Sequence, residues 1–294
     1  MEPRVEQVPT PDGRQLDVMI AGPEGGGVVL AHTGTPSSGR VFAPRLDATA
    51  ERGLRHVSYA RPGYADSSRN EGRSVADCAA DVEAIADHLE VERFHTVGSS
   101  GGGPHALACA ALLPGRVLSA ATVGGCAPYD AEGLDWLAGM GAENIEETGL
   151  AAQGPDALRP WLEREAEEML QSSAEELHEI LGDLVSDVDR AALTGSFSQH
   201  LYSSMCDSFR RGVWGWLDDD LAFVGSWAFE LDAIQVPVTV WHGAQDRFVP
   251  LAHGEWLAEH VPGARARLLA EHGHLSLAVA HYGEILDDLL SSGG

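Results

Sequence analysis

The sequence predicts an α/β fold in which a mostly parallel sheet is flanked by helices and interrupted by one inserted helical segment. Short β-branched runs alternate with helical patterns in the first third of the chain and again near its end, which is typical of parallel strands joined through helices. Between these regions about 105 residues lack a comparable strand, whereas a usual connection has roughly 2–6. We therefore expect a core at residues 1–127 and 234–294 and a helical cap, or lid, at residues 128–233.

The predicted strands are apolar runs of four to six residues bounded by turn residues. An antiparallel hairpin comes first and turns at Pro11-Asp12-Gly13. The strands are predicted at residues 5–8, 15–20, 28–31, 56–59, 94–97, 120–123, 236–241 and 264–269. Helices are predicted at residues 74–90, 102–113, 160–170, 173–184, 187–193, 251–260 and 276–290.

The composition excludes several classes of function. The formal net charge is −26, so the mean electrostatic field repels the phosphates of nucleic acids and of anionic membranes. All 19 cationic residues are arginine, which excludes lysine Schiff bases, lysine-anchored pyridoxal phosphate and the P-loop lysine. We expect a small-molecule substrate, no nucleic-acid or membrane partner, and no cofactor.

The cysteines and the N-terminus bear on the cellular compartment. Cys78, Cys109, Cys126 and Cys206 lie far apart, so neither a zinc site nor a disulfide framework is indicated. The first twenty residues lack the apolar region of a secretory signal, and no apolar run is long enough to span a membrane. The sequence thus predicts a cytoplasmic protein with free thiols and no bound metal.

A glycine-flanked serine follows the predicted strand at 94–97. Gly98-Ser99-Ser100-Gly101-Gly102 fits G-x-S-x-G only when Ser100 is the central residue, and a helix is predicted to follow directly. In this strand-to-helix context the turn lifts the central hydroxyl out of the sheet. Ser100 is therefore the predicted nucleophile, and it requires a histidine base and an acid to orient that base.

The loops after the last two strands supply the base and the acid. Glu271-His272-Gly273-His274 resembles the terminal loop of α/β-hydrolases, in which the catalytic histidine follows the glycine. This resemblance favours His274 and leaves His272 as a packing or hydrogen-bonding neighbour. His242-Gly243-Ala244-Gln245-Asp246 is similar to the acid turn of the same family, and the serine, aspartate, histidine chain order agrees. The resemblance implies Asp246 as the acid.

The resemblance also implies an oxyanion hole, which needs backbone N–H donors. The amide of Gly101 is one expected donor. His32-Thr33-Gly34-Thr35-Pro36 is similar to the family's H-G-x-P loop with one extra residue, so Thr35 is the second, with Thr33 or Gly34 as substitutes. Five ordered motifs within residues 1–127 and 234–292 resemble the α/β-hydrolase family, including Arg61-Pro62-Gly63, which we interpret as structural.

The expected function is hydrolysis of a carboxylic ester of a small or medium apolar substrate through an acyl-serine intermediate. The same residues could act on an amide or peptide, a thioester, a lactone or a carbon–carbon bond, or catalyse a cyclisation in secondary metabolism. A ligand-binding receptor with little turnover belongs to a different class. Aromatic residues of the insertion are expected to roof the cleft in part. The run Asp218-Asp219-Asp220 is expected on solvated surface. The acids Glu163, Glu165, Glu167 and Glu168 could hold a substrate's amine, but their spacing distributes them around several helix faces and favours solvated surface.

Overall fold

The computed structural model describes residues 3–292, and within them eight strands form one sheet. The strands are β1 (Arg4–Pro9), β2 (Gln15–Ala21), β3 (Gly27–His32), β4 (Leu54–Tyr59), β5 (Phe94–Ser99), β6 (Val117–Val123), β7 (Val238–Gly243) and β8 (Arg265–Leu269). Their order across the sheet is β1-β2-β4-β3-β5-β6-β7-β8. The β1–β2 and β2–β4 pairs are antiparallel and all others are parallel, so the predicted mostly parallel sheet and its leading hairpin are confirmed.

Twelve α-helices occur in the described part of the chain. They are α1 (Ala43–Glu51), α2 (Cys78–His88), α3 (Gly102–Leu112), α4 (Ala142–Ala151), α5 (Pro155–Gln171), α6 (Leu177–Ile180), α7 (Asp187–Ala192), α8 (Gly195–Ser208), α9 (Trp214–Val224), α10 (Leu251–His260), α11 (His274–Ala280) and α12 (Tyr282–Ser292). Among residues 3–292, no helix combines the length and the apolar character needed to cross a bilayer.

The helices differ from the sequence prediction at several points. The closing helix predicted at 276–290 is two helices, α11 and α12, which are separated at His281. Helix α5 begins at Pro155, before the predicted start at Pro160. Either proline can occupy the first turn of a helix; Pro155 does so, and Pro160 lies inside the helix. Helices α1, α4, α8 and α9 were not predicted, since glycine, polar and acidic residues interrupt their apolar patterns.

Apolar side chains cover both faces of the central strands. Every residue of β4 and β7 is buried, as expected for strands with helices packed on each face. One apolar cluster contains Leu107 of α3 and Leu257 of α10, and the opposite face contains Leu277 and Leu286 of α11 and α12. Carboxyl ends of parallel strands therefore open toward one edge, where loops can carry a site.

The segment between β6 and β7 is helical. Helices α4 to α9 lie in it, and their apolar residues form a third cluster around Leu158, Leu162 and Trp216. Tyr64, from the loop after β4, belongs to the same cluster, so the inserted segment packs on the sheet-bearing part of the chain. The division into a core and a cap at residues 128–233 stays a prediction.

Candidate active site

Ser100 lies at the sharp turn between β5, which ends at Ser99, and α3, which begins at Gly102. Its φ angle is +54°, a left-handed conformation that costs a side-chain-bearing residue about 1–3 kcal/mol and is typical of functional sites. The turn requires glycine beside it, because a Cβ atom on Gly98 would lie 2.0 Å from the Gly102 carbonyl oxygen. The predicted nucleophile thus occupies a strained turn that requires glycine at position 98.

His274 and Asp246 form a buried pair. The distance from His274 Nδ1 to Asp246 Oδ2 is 2.6 Å, and the Asp246 side chain is fully buried. Asp246 Oδ1 accepts hydrogen bonds from the backbone amides of Phe248 at 2.9 Å and Val249 at 2.8 Å. The Phe248 ring stacks on the imidazole at 4.7 Å between centroids. The turn that follows β7 therefore fixes its own carboxylate and one face of the histidine.

Ser100 and the His274–Asp246 pair lie on either side of one backbone segment. The Ser100 amide donates to the carbonyl oxygen of Val123 at 2.9 Å. A Cβ atom on the next residue, Gly124, would lie 3.0 Å from His274 Nδ1 and 3.2 Å from Asp246 Oδ2. Ser100 and His274 also border one cavity.

No hydrogen bond joins Ser100 Oγ to His274 Nε2 within residues 3–292. Such catalytic bonds are often long before substrate binds. The structure brings the three predicted residues to one place, and the direct serine–histidine contact stays a prediction.

The environment of His274 changes its pKa in two opposing ways. Burial lowers the pKa of the imidazole, whereas the Asp246 carboxylate raises it through its charge and its hydrogen bond. The carboxylate prevails, and the pKa of His274 lies above its ordinary value of 6.5. An imidazole in this state is a better proton acceptor, which is what a general base for a serine hydroxyl needs.

Asp189 of α7 holds the start of the helix that begins with His274. Its Oδ2 atom accepts from the His274 amide at 2.9 Å, and Oδ1 accepts from the amides of Leu275 at 2.9 Å and Ser276 at 2.8 Å. The Ser186 hydroxyl donates to Asp189 Oδ2 at 3.0 Å, and Asp189 is fully buried. A carboxylate that caps α11 thus fixes the backbone of the candidate base, and the sequence analysis missed it.

The two predicted oxyanion donors lie next to each other. A Cβ atom on Gly101 would lie 2.3 Å from Thr35 Oγ1, and both residues border the same cavity. In the described part of the chain, neither the Thr35 nor the Gly101 amide donates to another residue. Gly34 contacts the nucleophile, since its Cβ would lie 3.3 Å from Ser100 Cβ. The geometry is compatible with the prediction for Thr35 and Gly101 and leaves their role a prediction.

A buried ion pair anchors the Thr33–Thr35 loop. The guanidinium of Arg61 donates to the carbonyl oxygens of Thr33 at 2.5 Å and Gly34 at 3.0 Å, and to Thr35 Oγ1 at 2.8 Å. Asp219 of α9 accepts from the same guanidinium at 2.6 Å. Helix α9 therefore holds the candidate oxyanion loop through Arg61.

Asp219 lies at the centre of this network. Arg73 also contacts it at 2.7 Å, and the Tyr64 hydroxyl donates to it at 2.8 Å. Burial alone would raise the pKa of Asp219, but Arg61 and Arg73 hold that pKa well below its ordinary range. The prediction of a solvated run at 218–220 was wrong: Asp218, Asp219 and Asp220 are 2%, 0% and 8% exposed.

Comparison with known proteins gives the family. Residues 27–280 match the model described as the alpha/beta hydrolase fold. The chain belongs to this family. It is 27% identical to an uncharacterized hydrolase of Bacillus subtilis (strain 168), YcgS, over 99% of this chain and 100% of that protein.

Further comparisons agree with that family. A putative carbamate hydrolase, RutD, of Caulobacter sp. (strain K31) is 28% identical over 84% of this chain and 83% of its own length. The crystal structure of a hydrolase from Pseudomonas aeruginosa superposes with a TM-score of 0.70 at 21% identity, over 99% of this chain and 98% of the other. The α/β-hydrolase fold expected from the motifs is confirmed, and the protein is a hydrolase of this family.

Two cavities of this hydrolase meet at Ser100. The first cavity lies under α4, α5 and α9. The second cavity lies between α8 and the start of α11, where His274 is located. Six aromatic residues from the segment 128–233 border one cavity or the other. They are Trp136, Trp161, Phe197, Phe209, Trp216 and Phe223. The candidate nucleophile therefore borders two compartments, each lined in part by aromatic side chains.

The second histidine of the terminal loop lies apart from the pair. His272 Nε2 is 2.9 Å from His281 Nε2, and the two rings meet edge to face at 4.6 Å. His272 is thus the hydrogen-bonding neighbour that the sequence predicted. The sequence analysis missed Asp189 and interpreted Arg61 only as structural. The sequence contained one indication of the ion pairs with Asp218 and Asp219. Three arginines at 61, 69 and 73 lie close together in the chain, and so do three acids at 218–220.

Proposed function

We propose that the protein hydrolyses a carboxylic ester through an acyl-Ser100 intermediate. The observation that carries the proposal is the buried His274–Asp246 pair, 2.6 Å apart, beside a serine held in a left-handed turn. His274 would accept the Ser100 proton as the hydroxyl attacks the ester carbonyl, and it would then protonate the leaving alcohol. Asp246 would keep the imidazole in one tautomer and stabilise the imidazolium.

The second half of the reaction would use the same groups. His274 would take a proton from water as that water attacks the acyl-enzyme, and the proton would return to Ser100 as the acid leaves. The amides of Thr35 and Gly101 would donate to the oxyanion in both steps, and their free N–H groups support this role. Arg61 and Asp219 would keep the Thr35 loop in place for it.

Aromatic side chains near Ser100 support an ester whose reacting carbonyl is shielded from water. Side chains such as Trp161, Phe209 and Phe223 around the first cavity exclude water, which strengthens electrostatic interactions at the reacting centre. Carbamates, amides, thioesters, lactones and carbon–carbon bonds would need the same serine, histidine and aspartate. Because the Caulobacter relative is named a putative carbamate hydrolase, a carbamate is the second candidate substrate.

A matched substrate panel tests the proposal. Nitrophenyl esters with acyl chains of increasing length would be compared with the corresponding nitrophenyl carbamates and nitroanilides, on wild type and on Ser100→Ala. We expect ester turnover with a burst of nitrophenol equal to one active site, abolished in Ser100→Ala. A clear preference for carbamates or anilides would contradict the ester assignment. Ligand binding without turnover by the folded wild type would favour a receptor instead.

A further inference from the structure

The cavity under α4, α5 and α9 carries an unusual set of charges. Four carboxyl groups from these three helices border it, those of Glu143, Glu147, Glu165 and Asp220. No arginine or histidine of the described residues borders it. We call it the acidic cavity. Because Ser100 borders the same cavity, a molecule bound there can extend to the candidate nucleophile.

Two of these carboxyl groups, those of Glu147 on α4 and Asp220 on α9, lie on helices that pack against each other. Both carboxyl groups border the acidic cavity, and the Trp216 indole N–H donates to Glu147 Oε1 at 2.5 Å. Asp220 is 8% exposed, and its buried Oδ2 atom has no donor among residues 3–292 unless one carboxyl of the pair carries a proton. Two ionised carboxylates in one water-poor cavity repel each other, and a proton on one of them or a bound cation relieves this repulsion.

The surrounding charges do not neutralise this pair. Burial and the charge of Glu147 raise the pKa of Asp220 well above its ordinary value. Arg73 acts in the opposite direction, but it is bound to Asp219 at 2.7 Å. Burial, with Asp183 next, raises the pKa of Glu143 to about 7. The cavity therefore has an excess of negative charge that protons relieve when no ligand is bound.

Aromatic rings supply a second feature that attracts cations. Trp216 meets Trp161 edge to face at 6.1 Å and stacks on Phe209 at 5.5 Å, and all three rings border the acidic cavity with Phe223. The faces of tryptophan and phenylalanine rings carry negative partial charge and bind ammonium groups. Carboxylates and ring faces in one water-poor compartment are the combination that recognises an organic cation.

We propose that the substrate carries a primary or secondary ammonium group, which binds in the acidic cavity while the scissile bond lies at Ser100. This inference rests on the proposed function, because it places the ammonium on the molecule that Ser100 attacks. The ammonium N–H groups would donate to Glu147, Asp220 and Glu143. Binding would release a proton held by Glu147 or Asp220, because a bound positive charge lowers the pKa values of both acids. The ammonium takes the place of that proton, which passes to the buffer, and no bond to carbon or nitrogen forms or breaks at this position.

Turnover of isosteric esters tests the preference. The 6-aminohexanoyl and heptanoyl nitrophenyl esters differ only by an ammonium group in place of a terminal methyl group. We expect kcat/KM to be about 10- to 100-fold higher for the ammonium ester, the range of a charge-assisted hydrogen bond in a buried site. The double variant Glu147→Gln with Asp220→Asn should reduce this ratio to near one.

A matched control removes two charges elsewhere. Glu163 and Glu167 are exposed acids of α5 that do not border the acidic cavity. Glu163→Gln with Glu167→Gln should keep the preference for the ammonium ester. If the control variant lost the preference as fully as the cavity variant did, the overall negative charge of the protein would explain the preference, and the proposed site would be refuted.

A binding measurement keeps the proposal testable without turnover and without the double variant. Ser100→Ala would be titrated calorimetrically with hexylammonium chloride and with 1-hexanol, in phosphate and in Tris at pH 7. We expect at least about tenfold tighter binding of hexylammonium, with a heat that differs between the buffers because protons are released. Equal or weaker binding of the ammonium would overturn the proposal.

The outcomes separate this inference from the proposed function. Efficient turnover of both esters without a preference, and with Ser100 acylated, would refute the ammonium site and leave the esterase intact. Tight hexylammonium binding without acylation of Ser100 would refute the esterase and leave the ammonium site intact.

Discussion

Replacing Asp189 with alanine should destabilise the protein and slow its chemistry together. The carboxylate accepts three backbone N–H groups at the start of α11, at 2.8–2.9 Å, and is fully buried. Losing a helix N-cap costs about 1 kcal/mol, and each of the two further buried N–H groups left without an acceptor costs at least about 1 kcal/mol. We therefore expect the free energy of unfolding to fall by about 3 kcal/mol. Urea denaturation followed by tryptophan fluorescence would measure it.

The same substitution should change kcat more than KM. His274 is the first residue of α11, so loss of the cap lets the imidazole shift relative to Ser100, and a displacement of about 1 Å can reduce the rate about 100-fold. Asp189→Asn, which keeps one acceptor oxygen, should fall between wild type and Asp189→Ala. Asp187→Ala is the matched control, because Asp187 is exposed on the same helix. An Asp189→Ala variant with wild-type stability and kcat would refute the reasoning.

Three other perturbations have distinct expected results. The base must be neutral, so activity is lost as pH falls through the pKa of His274, and the acid limb of the pH profile of kcat/KM should lie above pH 6.5. Asp246→Asn should shift this limb to lower pH and reduce kcat about 10⁴-fold. An acid limb below pH 6.5 in wild type would contradict the assignment. Gly98→Ala should abolish acylation, since its Cβ would lie 2.0 Å from a carbonyl oxygen, whereas Gly115→Ala has no atom within 4 Å and should react normally. Asp219→Asn should lower the free energy of unfolding by about 3–5 kcal/mol, because the buried guanidinium groups of Arg61 and Arg73 lose their carboxylate. Calorimetric unfolding would measure this loss. Unchanged stability would exclude these ion pairs as structural anchors.

Local patterns carried most of what the sequence could predict. The central strands of the sheet contain apolar runs, and the turn at Ser100 requires glycine two positions before it. Asp246 and His274 likewise follow strands within a few residues, in the turn after β7 and at the start of α11, where a short motif is sufficient to propose a role. Such features depend on neighbours in the chain, so they can be predicted without coordinates.

Contacts between distant residues account for what the sequence analysis missed. Asp219 is buried because Arg61 and Arg73, more than 140 residues earlier, neutralise it, and an acidic run without these partners would be exposed. Asp189 lies 85 residues before the amide of His274 that it caps. Glu165, expected on solvated surface, borders the acidic cavity because α5 packs against α9 there. Contacts between residues so far apart in the chain cannot be predicted until the fold is known.

The most direct measurement is covalent labelling of the candidate nucleophile. Folded protein would be treated with a fluorophosphonate, and the adduct would be located by peptide mass spectrometry that separates Ser99 from Ser100. The account predicts one phosphonyl group on Ser100, and a strongly reduced rate of labelling in His274→Gln. An adduct on Ser99, or no adduct on a protein with native circular dichroism, would contradict the assignment of Ser100, His274 and Asp246 as one catalytic unit.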